Sequence, residues 1–273
     1  MEKDIHYSTE PPRNTQDMKT QLINAEMAYT KLFSKNHEDE HLIRFWDDEI
    51  PDMYSHNYTF IKENRADLPE IIINEIKLRQ EQNKDFLRIE VNFDADIKML
   101  EKLPIKPEVS IYDYMYIKTD GFRNIDGNKN SVVKKAITDE IIADGKKVDI
   151  LACQESMGLE FATRRIERKS KVYQVTNSPL DLYVCYAAGI AVGNCELMTL
   201  ENLAKIEDFD ILEEHQRKGY GSAVIQYLLQ SAYEQSVPHA YLITDHSDTA
   251  KDMYVKCGFE RVGYKTELHF QLK

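Results

Sequence analysis

Gly219 and Gly221 stand one residue apart where a strand-like run, residues 204 to 212, gives way to a helical run, residues 222 to 236. Glycine accepts backbone angles that let successive N–H groups converge on one point. The helix behind them adds partial positive charge at its N-terminus, and this favours an anion. Arg217 and Lys218 add full charges beside the pair. Residue types at this spacing predict a cradle for phosphate oxygens.

Two other patterns invite chemistry. His37-Glu38-Asp39-Glu40-His41 matches H-E-x-x-H, the zinc-hydrolase pattern, which needs both imidazoles on one helix face. Its middle positions and its surroundings are almost wholly polar, so a solvated loop or helix end is the expected reading and no metal is expected. The four cysteines, Cys153, Cys185, Cys195 and Cys257, form no C-x-x-C pair, and their mostly apolar settings predict reduced, part-buried thiols. The glycine corner itself lacks the spacing of a P-loop and the third glycine of a dinucleotide fingerprint.

Composition bounds the answer. The 273 residues are 42% hydrophobic and 30% charged, an ordinary globular balance with enough apolar material for two small cores. The formal net charge of −12 argues against a nucleic-acid partner, which needs a basic face. The start, Met1-Glu2-Lys3-Asp4, has no apolar signal-like region, and no run is long and apolar enough to span a bilayer. A cytoplasmic protein with no membrane partner is expected, as a monomer or homodimer.

The elements that must position the corner follow from periodicity. Residues 1 to 18 read as a polar arm. Helical spacing appears from Gln21 to Ser34, and a segment from His41 to Met53 carries the single tryptophan, Trp46, as a core candidate. Pro69 opens a helix to about Asn83. Strands are expected at 85 to 91 and 109 to 118, with a short helix at 94 to 103 between them. Gly121 and Gly127, among Asn and Asp residues, mark a linker over 121–130, dividing an accessory unit at 1–120 from a second at 131–273. The second unit opens with a strand, 131 to 137, and then a helix, 148 to 171. That helix ends in Arg164, Arg165, Arg168, Lys169 and Lys171, expected as a solvated helix end, with a ligand phosphate as the sharper alternative. A three-stranded antiparallel meander over 181 to 212 leads into the corner. Pro238 ends the next helix, and a strand at 239 to 244 follows. A helix at 248 to 257 is expected, capped by Ser247 or Asp248 and closed by Gly258, and then a strand pair around Gly263.

The order helix, strand, helix, strand over 69–118 recurs over 221–272, which suggests duplication of one α/β unit. All ten glycines lie at or after Gly121, so the first copy cannot build the same corner. A single anion site is expected.

Gln216-x-x-Gly219-x-Gly221, between a meander strand and an amphipathic helix, resembles the acyl-CoA-binding motif of the GNAT family of N-acetyltransferases. The stretch from Ser247 through Ala250 and Tyr254 to Gly258-Phe259 is similar to that family's downstream motif. The resemblance covers about residues 131–273. It implies an α/β (α+β) fold of two acyl-CoA N-acyltransferase-like units in tandem, the first degenerate, with a mixed, mostly antiparallel sheet flanked by helices. It implies a single co-substrate, acetyl-CoA, with its pyrophosphate on the backbone from Arg217 through Lys218, Gly219, Tyr220 and Gly221 to Ser222. The pantetheine arm would lie where the strand ending at Ile211, Leu212 and Glu213 splays from the strand at 241 to 244. A backbone N–H near Ile211 would polarise the thioester. Tyr254 would protonate the leaving thiolate. Lys205 stands where some members place a glutamate base. Glu207, two residues on, shares its strand face and is the chosen base, with Glu213 and His215 as alternatives. Ser247 replaces an asparagine that contacts pantetheine or water.

Acetyl transfer to an amine, on a small molecule or a protein, is therefore the leading expectation. Lys205 and the degenerate first half motivate a second, an acyl-CoA sensor or scaffold with little turnover.

Overall fold

The computed structural model describes residues 15–95, 100 and 102–273. The helices are α1 Thr15–Lys31, α2 Leu68–Glu81, α3 Asp139–Met157, α4 Leu159–Tyr173, α5 Tyr220–Glu234 and α6 Lys251–Lys256. The strands are β1 Lys35–Glu38, β2 Leu42–Trp46, β3 Thr59–Ile61, β4 Phe86–Val91, β5 Glu108–Lys118 and β6 Ser131–Lys135. They continue with β7 Leu180–Ala187, β8 Ile190–Thr199, β9 Leu203–Ile211, β10 His239–Asp245 and β11 Glu260–Gln271.

Among the described residues these strands form one sheet in the order β1-β2-β3-β4-β11-β5-β10-β9-β8-β7-β6. Only β3/β4 and β9/β10 pair in parallel. The order is two-fold about its centre. β5, from the first half, lies between β10 and β11, while β11, from the second half, lies between β4 and β5. Each half therefore supplies a strand that the other half's sheet closes around, and the two sheets are continuous.

Local rules explain most elements. Pro69 sits in the first turn of α2, where no N–H is needed. Ala188 and Gly189, both with positive φ, make the two-residue β7–β8 hairpin turn whose twist matches the strands. Helix α5 buries Val224, Ile225, Leu228, Leu229 and Ala232 against β8 to β10. Each of these side chains except Ala232 contributes roughly 1.5–3 kcal/mol.

Several expectations need correction. The helix expected at 148 to 171 is two helices, α3 and α4, because Gly158 takes φ 82° between them. Thr138 caps α3, accepting from the Ile141 N–H, so the helical region starts well before Val148. Trp46 is half-buried, and its neighbour Phe45 is the one in the core. Helix α6 starts at Lys251 with no side-chain cap; the Asp248 carboxylate instead accepts from the Ala250 N–H. The closing strand pair is one strand, β11, which bulges between Arg261 and Gly263 rather than turning. Of the expected arm, 15 to 18 are already helical, and 1–14 lie outside the described residues. The helix expected at 94 to 103 falls partly on 96–99 and 101, which also lie outside them. No helix among the described residues is long and apolar enough to cross a membrane.

Candidate active site

β9 and β10 pair only from Leu203/His239 to Lys205/Tyr241. Beyond that point they diverge, as expected for the strand ending at Ile211. The cause is on the other edge of β9. Glu196 pairs with Glu207 and Asn194 with Asp210, so Asp208 and Phe209 together oppose Cys195. Asp208 has φ 45°. Such a bulge bends the strand and switches which side chains share a face. Lys205, Glu207, Asp208 and Asp210 fall on the face covered by α1, α3 and α4, while Phe209 and Ile211 pack with the α5 core. A throat of 190 Å³ fills the gap, lined by Glu207, Asp208, Phe209, Thr244, Asp245 and Tyr254 among others.

The glycine corner lies at the far end of β9. Ile211 C=O accepts from Gln216 Nε2 at 2.9 Å, so it faces away from β8. In a strand the N–H of the same residue points the same way, which aims the Ile211 N–H into the gap. Arg217 (φ 59°) and Gly219 (φ 79°) are both left-handed. Gly219 is the N-cap of α5 and provides no side-chain cap, so the N–H groups of Tyr220, Gly221 and Ser222 open the helix without one. A Cβ on Gly221 would meet Met253 Sδ at 2.7 Å. Lys218 Nζ donates to Glu214 C=O at 2.7 Å. Gln216, Arg217 and Lys218 are exposed, and Leu212 is half-buried.

Sequence reasoning missed the brace beneath this corner. Asn128 Nδ2 donates to Lys218 C=O at 2.7 Å, and its backbone N–H donates to Gly219 C=O at 3.0 Å. A Cβ on Gly127 would stand 2.4 Å from Ala223 Cα, so the loop reaches the helix only as glycine. The segment expected as a linker thus holds the corner's shape. Its glycine and asparagine were visible as turn formers, but their partner was not.

The acid–base candidates separate clearly. Tyr254 is buried beside the throat, and burial raises its phenol above the usual range, with Cys195 and Asp248 adding to this, so it holds its proton. Lys205 is buried at 2.5 Å from Glu26 and 2.9 Å from Glu207. Burial works against its charge, but Glu207 and Glu26 outweigh it and raise its pKa. Glu207 is partly exposed and lines the throat. Exposed Glu213 and half-buried His215 do not line it; His215 packs edge-on to Tyr220. Ser247 lies at the rim, where its hydroxyl donates to Asp245 at 2.6 Å. Asp210, not singled out before, is pushed up to about 6 by burial together with the charges of Asp208 and Asp149.

The basic cluster on α4 is a solvated helix end only at Arg164 and Lys171; Arg165, Arg168 and Lys169 turn inward. Arg165 bonds both carboxylate oxygens of Asp149, at 2.9 and 2.7 Å, and pairs with Asp208. Lys169 meets Glu196 at 2.9 Å and the Tyr29 hydroxyl at 2.8 Å. Arg164, Arg168 and Lys171 reach Asp52, Asp47 and Glu49 of the first half. Helical periodicity placed these cations on one element but left their acidic partners unseen. Asp149, Cys153 and Asp210 bring ligand atoms within 4.8 Å of one another, but Arg165 already occupies Asp149. His37 lies on β1, an exposed strand, and His41 beyond its end, so the helical i, i+4 face of a zinc motif does not form. All four cysteines are free.

Residues 153–259 match the model of the Acetyltransferase (GNAT) family. The Bacillus subtilis (strain 168) protein described as "Uncharacterized N-acetyltransferase CgeE" is 25% identical, with 86% of this chain and 92% of that protein covered. A functionally unknown conserved protein from Staphylococcus epidermidis shares the fold with TM-score 0.75 at 20% identity, over 87% of this chain and 94% of that one. A GCN5-related N-acetyltransferase from Kribbella flavida shares it with TM-score 0.70 at 13% identity, over 93% and 95%. A tandem GNAT protein from the clavulanic acid biosynthesis pathway does so with TM-score 0.58 at 10% identity, over 85% and 78%.

Proposed function

Taking a GNAT-family domain over residues 153–259 as the premise, we propose that the protein moves an acetyl group from acetyl-CoA to the amine of a small acceptor by direct attack. One observation carries this reading: the gap between β9 and β10 has Tyr254 and Glu207 in its walls and lies beside the glycine corner. In this reading the backbone from Arg217 to Ser222 binds the pyrophosphate, and the pantetheine arm runs along Ile211 and Leu212. The Ile211 N–H polarises the thioester carbonyl as negative charge grows on it. Glu207 takes a proton from the attacking amine, directly or through water. The tetrahedral intermediate collapses by breaking the C–S bond, and Tyr254 gives its proton to the thiolate. Residues 131–273 form the transferase unit, 121–130 connect it, and 1–120 are a degenerate copy that shapes the acceptor side. A cytoplasmic protein without a nucleic-acid or membrane partner fits this reading.

The Lys205–Glu207 ion pair, at 2.9 Å, favours a second reading, an acyl-CoA sensor, because it already occupies the base. The test is release of free thiol from acetyl-CoA against a panel of amines, corrected for hydrolysis. Calorimetry that finds no acetyl-CoA binding ends both readings, and binding without turnover on any amine selects the sensor.

A further inference from the structure

The throat is the first of three adjoining spaces. It shares Glu207, Asp208, Ile243 and Asp245 with a chamber of 280 Å³. The chamber shares Met53, Ser55, Arg88 and Arg165 with an outer groove of 780 Å³. The two halves of the chain build the chamber together. Glu26, Tyr58, Arg88 and Glu90 come from the first half, and Lys169, Lys205 and Glu207 from the second.

Charge changes sign along this path. The ionisable lining of the throat, Tyr254 apart, is Glu207, Asp208, Asp245 and Asp248, with no lysine or arginine. The groove is lined by Arg88, Arg164 and Arg165 against Asp52 and Glu160. Arg164 is bonded to Asp52, and Arg165 to Asp149. Arg88 differs. Its Nη2 meets Glu90 at 2.5 Å and Glu267 at 2.7 Å, but its Nε is buried without a hydrogen-bond partner among the described residues. A buried donor left unmet is costly, and it marks a place where an acceptor atom is missing. Arg88 stands in the wall common to chamber and groove.

We propose that the acceptor is a small amine that also carries an anionic group, a carboxylate or a phosphate. The proposal rests on the acetyl-transfer reading above. The acceptor's nitrogen lies in the acidic throat, and its anionic group lies against Arg88. A free alkylamine arrives protonated at neutral pH; Asp245 and Asp248, without a paired cation among the described residues, attract that end and repel the other, while Glu207 and Asp208 are held by Lys205, Arg165 and Lys169. The first half thereby sets acceptor choice. In the reaction the amine loses one proton to bulk water and a second to Glu207. An N–C bond forms, the C–S bond breaks, and the thiolate takes the proton of Tyr254. The products are an amide and free coenzyme A.

The test uses the full chain with acetyl-CoA and two matched pairs, γ-aminobutyrate against butylamine and phosphoethanolamine against ethanolamine. The expected result is a kcat/KM about tenfold or more higher for the anionic member of at least one pair, the worth of one charge-assisted hydrogen bond. The favoured pair tells carboxylate from phosphate. Arg88→Gln raises KM for the favoured probe about tenfold with a smaller change in kcat, and Arg88→Lys recovers part of the loss. Should Arg88→Gln fail to fold, the preference of the unaltered protein decides alone. Neutral amines acetylated as well as anionic ones overturn the proposal and leave acetyl transfer standing. If no probe turns over, calorimetry of γ-aminobutyrate and phosphoethanolamine with the CoA-saturated protein decides, and absence of binding at millimolar concentration also overturns it. Failure to bind acetyl-CoA strikes the acetyl-transfer reading itself.

Discussion

Glu26 on α1 and Lys205 on β9 meet at 2.5 Å, although 179 positions separate them. Tyr241 also donates its hydroxyl to Glu26, at 2.8 Å, and Lys265 lies 3.4 Å away. Burial opposes the Glu26 charge, but Lys205 and Lys265 outweigh it and lower its pKa. One carboxylate of the first half thus bridges two lysines beneath the throat, which Glu207 and Glu90 also pair.

Removing that carboxylate takes one of two carboxylate partners from each buried lysine, leaving Glu207 for Lys205 and Glu90 for Lys265. Glu26→Gln is expected to destabilise the protein by about 3 kcal/mol or more, the typical cost of breaking a buried pair from one side. Urea unfolding measures it. The double variant Glu26→Gln with Lys205→Met should recover part of the loss, and a single-variant loss below about 1 kcal/mol would show that water reaches the pair.

Acid should weaken the fold in two windows. His56 is buried at 3.1 Å from Asp47, and burial lowers its pKa from 6.5 to about 4 against the pull of Asp47. The folded state then refuses a proton that the unfolded state accepts. Its contribution is complete above pH 6.5 and is lost as pH falls towards 4. For Glu90 burial is outweighed by Lys265 and Arg88, which lower its pKa from 4.5 to about 2, so its contribution is lost between those values. Unfolding free energies across pH should show a flatter slope in the upper window for His56→Phe and in the lower window for Glu90→Gln. Slopes identical to the unaltered protein would count against both assignments.

The brace under the glycine corner predicts an effect at a distance. Asn128→Ala removes the side-chain bond to Lys218 C=O and keeps the backbone bond to Gly219, and Gly127→Ala forces the loop off Ala223. Both should weaken coenzyme A binding in calorimetry, by about tenfold for Gly127→Ala if the loop shift costs the equivalent of one charge-assisted hydrogen bond. Unchanged affinity in Gly127→Ala would mean that the corner keeps its shape without support.

Tyr254→Phe separates catalysis from binding. A lost general acid typically costs on the order of 100-fold or more in rate. The expected outcome is a fall of that size in kcat, with the dissociation constant for acetyl-CoA nearly unchanged. Steady-state kinetics and calorimetry on the same preparation measure both. A full-rate Tyr254→Phe enzyme would remove Tyr254 from the mechanism.

Much of the second half was legible because its signals are local. Turn residues at 188–189 and 201–202 bound the meander strands, and apolar spacing marks the buried face of α5. Gly258 follows α6 where a left-handed angle is needed, whereas α5 ends at Glu234, ahead of Pro238, with Ser236 left-handed at φ 64°. The glycine corner was legible for the same reason, since both its backbone angles and its charges lie within six residues. The β9 bulge was not. Nothing in Glu207-Asp208-Phe209 announces an extra residue, because a bulge is defined by the partner strand.

The chain's own order of residues therefore determined the glycine corner and the helices and strands around it. Each depends on a few consecutive residues and on backbone preferences that act over one or two turns. Tertiary structure alone decided that β5 and β11 cross into each other's half. It alone seated Glu26 against Lys205, and it turned Arg165, Arg168 and Lys169 of α4 inward. Those outcomes depend on which buried charge finds which partner and on which strand edge remains open. Both are settled between groups on different elements, 179 positions apart for Glu26 and Lys205, 121 for Arg168 and Asp47 and 16 for Arg165 and Asp149, where periodicity within one element carries no information. The glycine corner's backbone shape is thus written locally, whereas the chamber beside the throat exists only because two halves share one sheet.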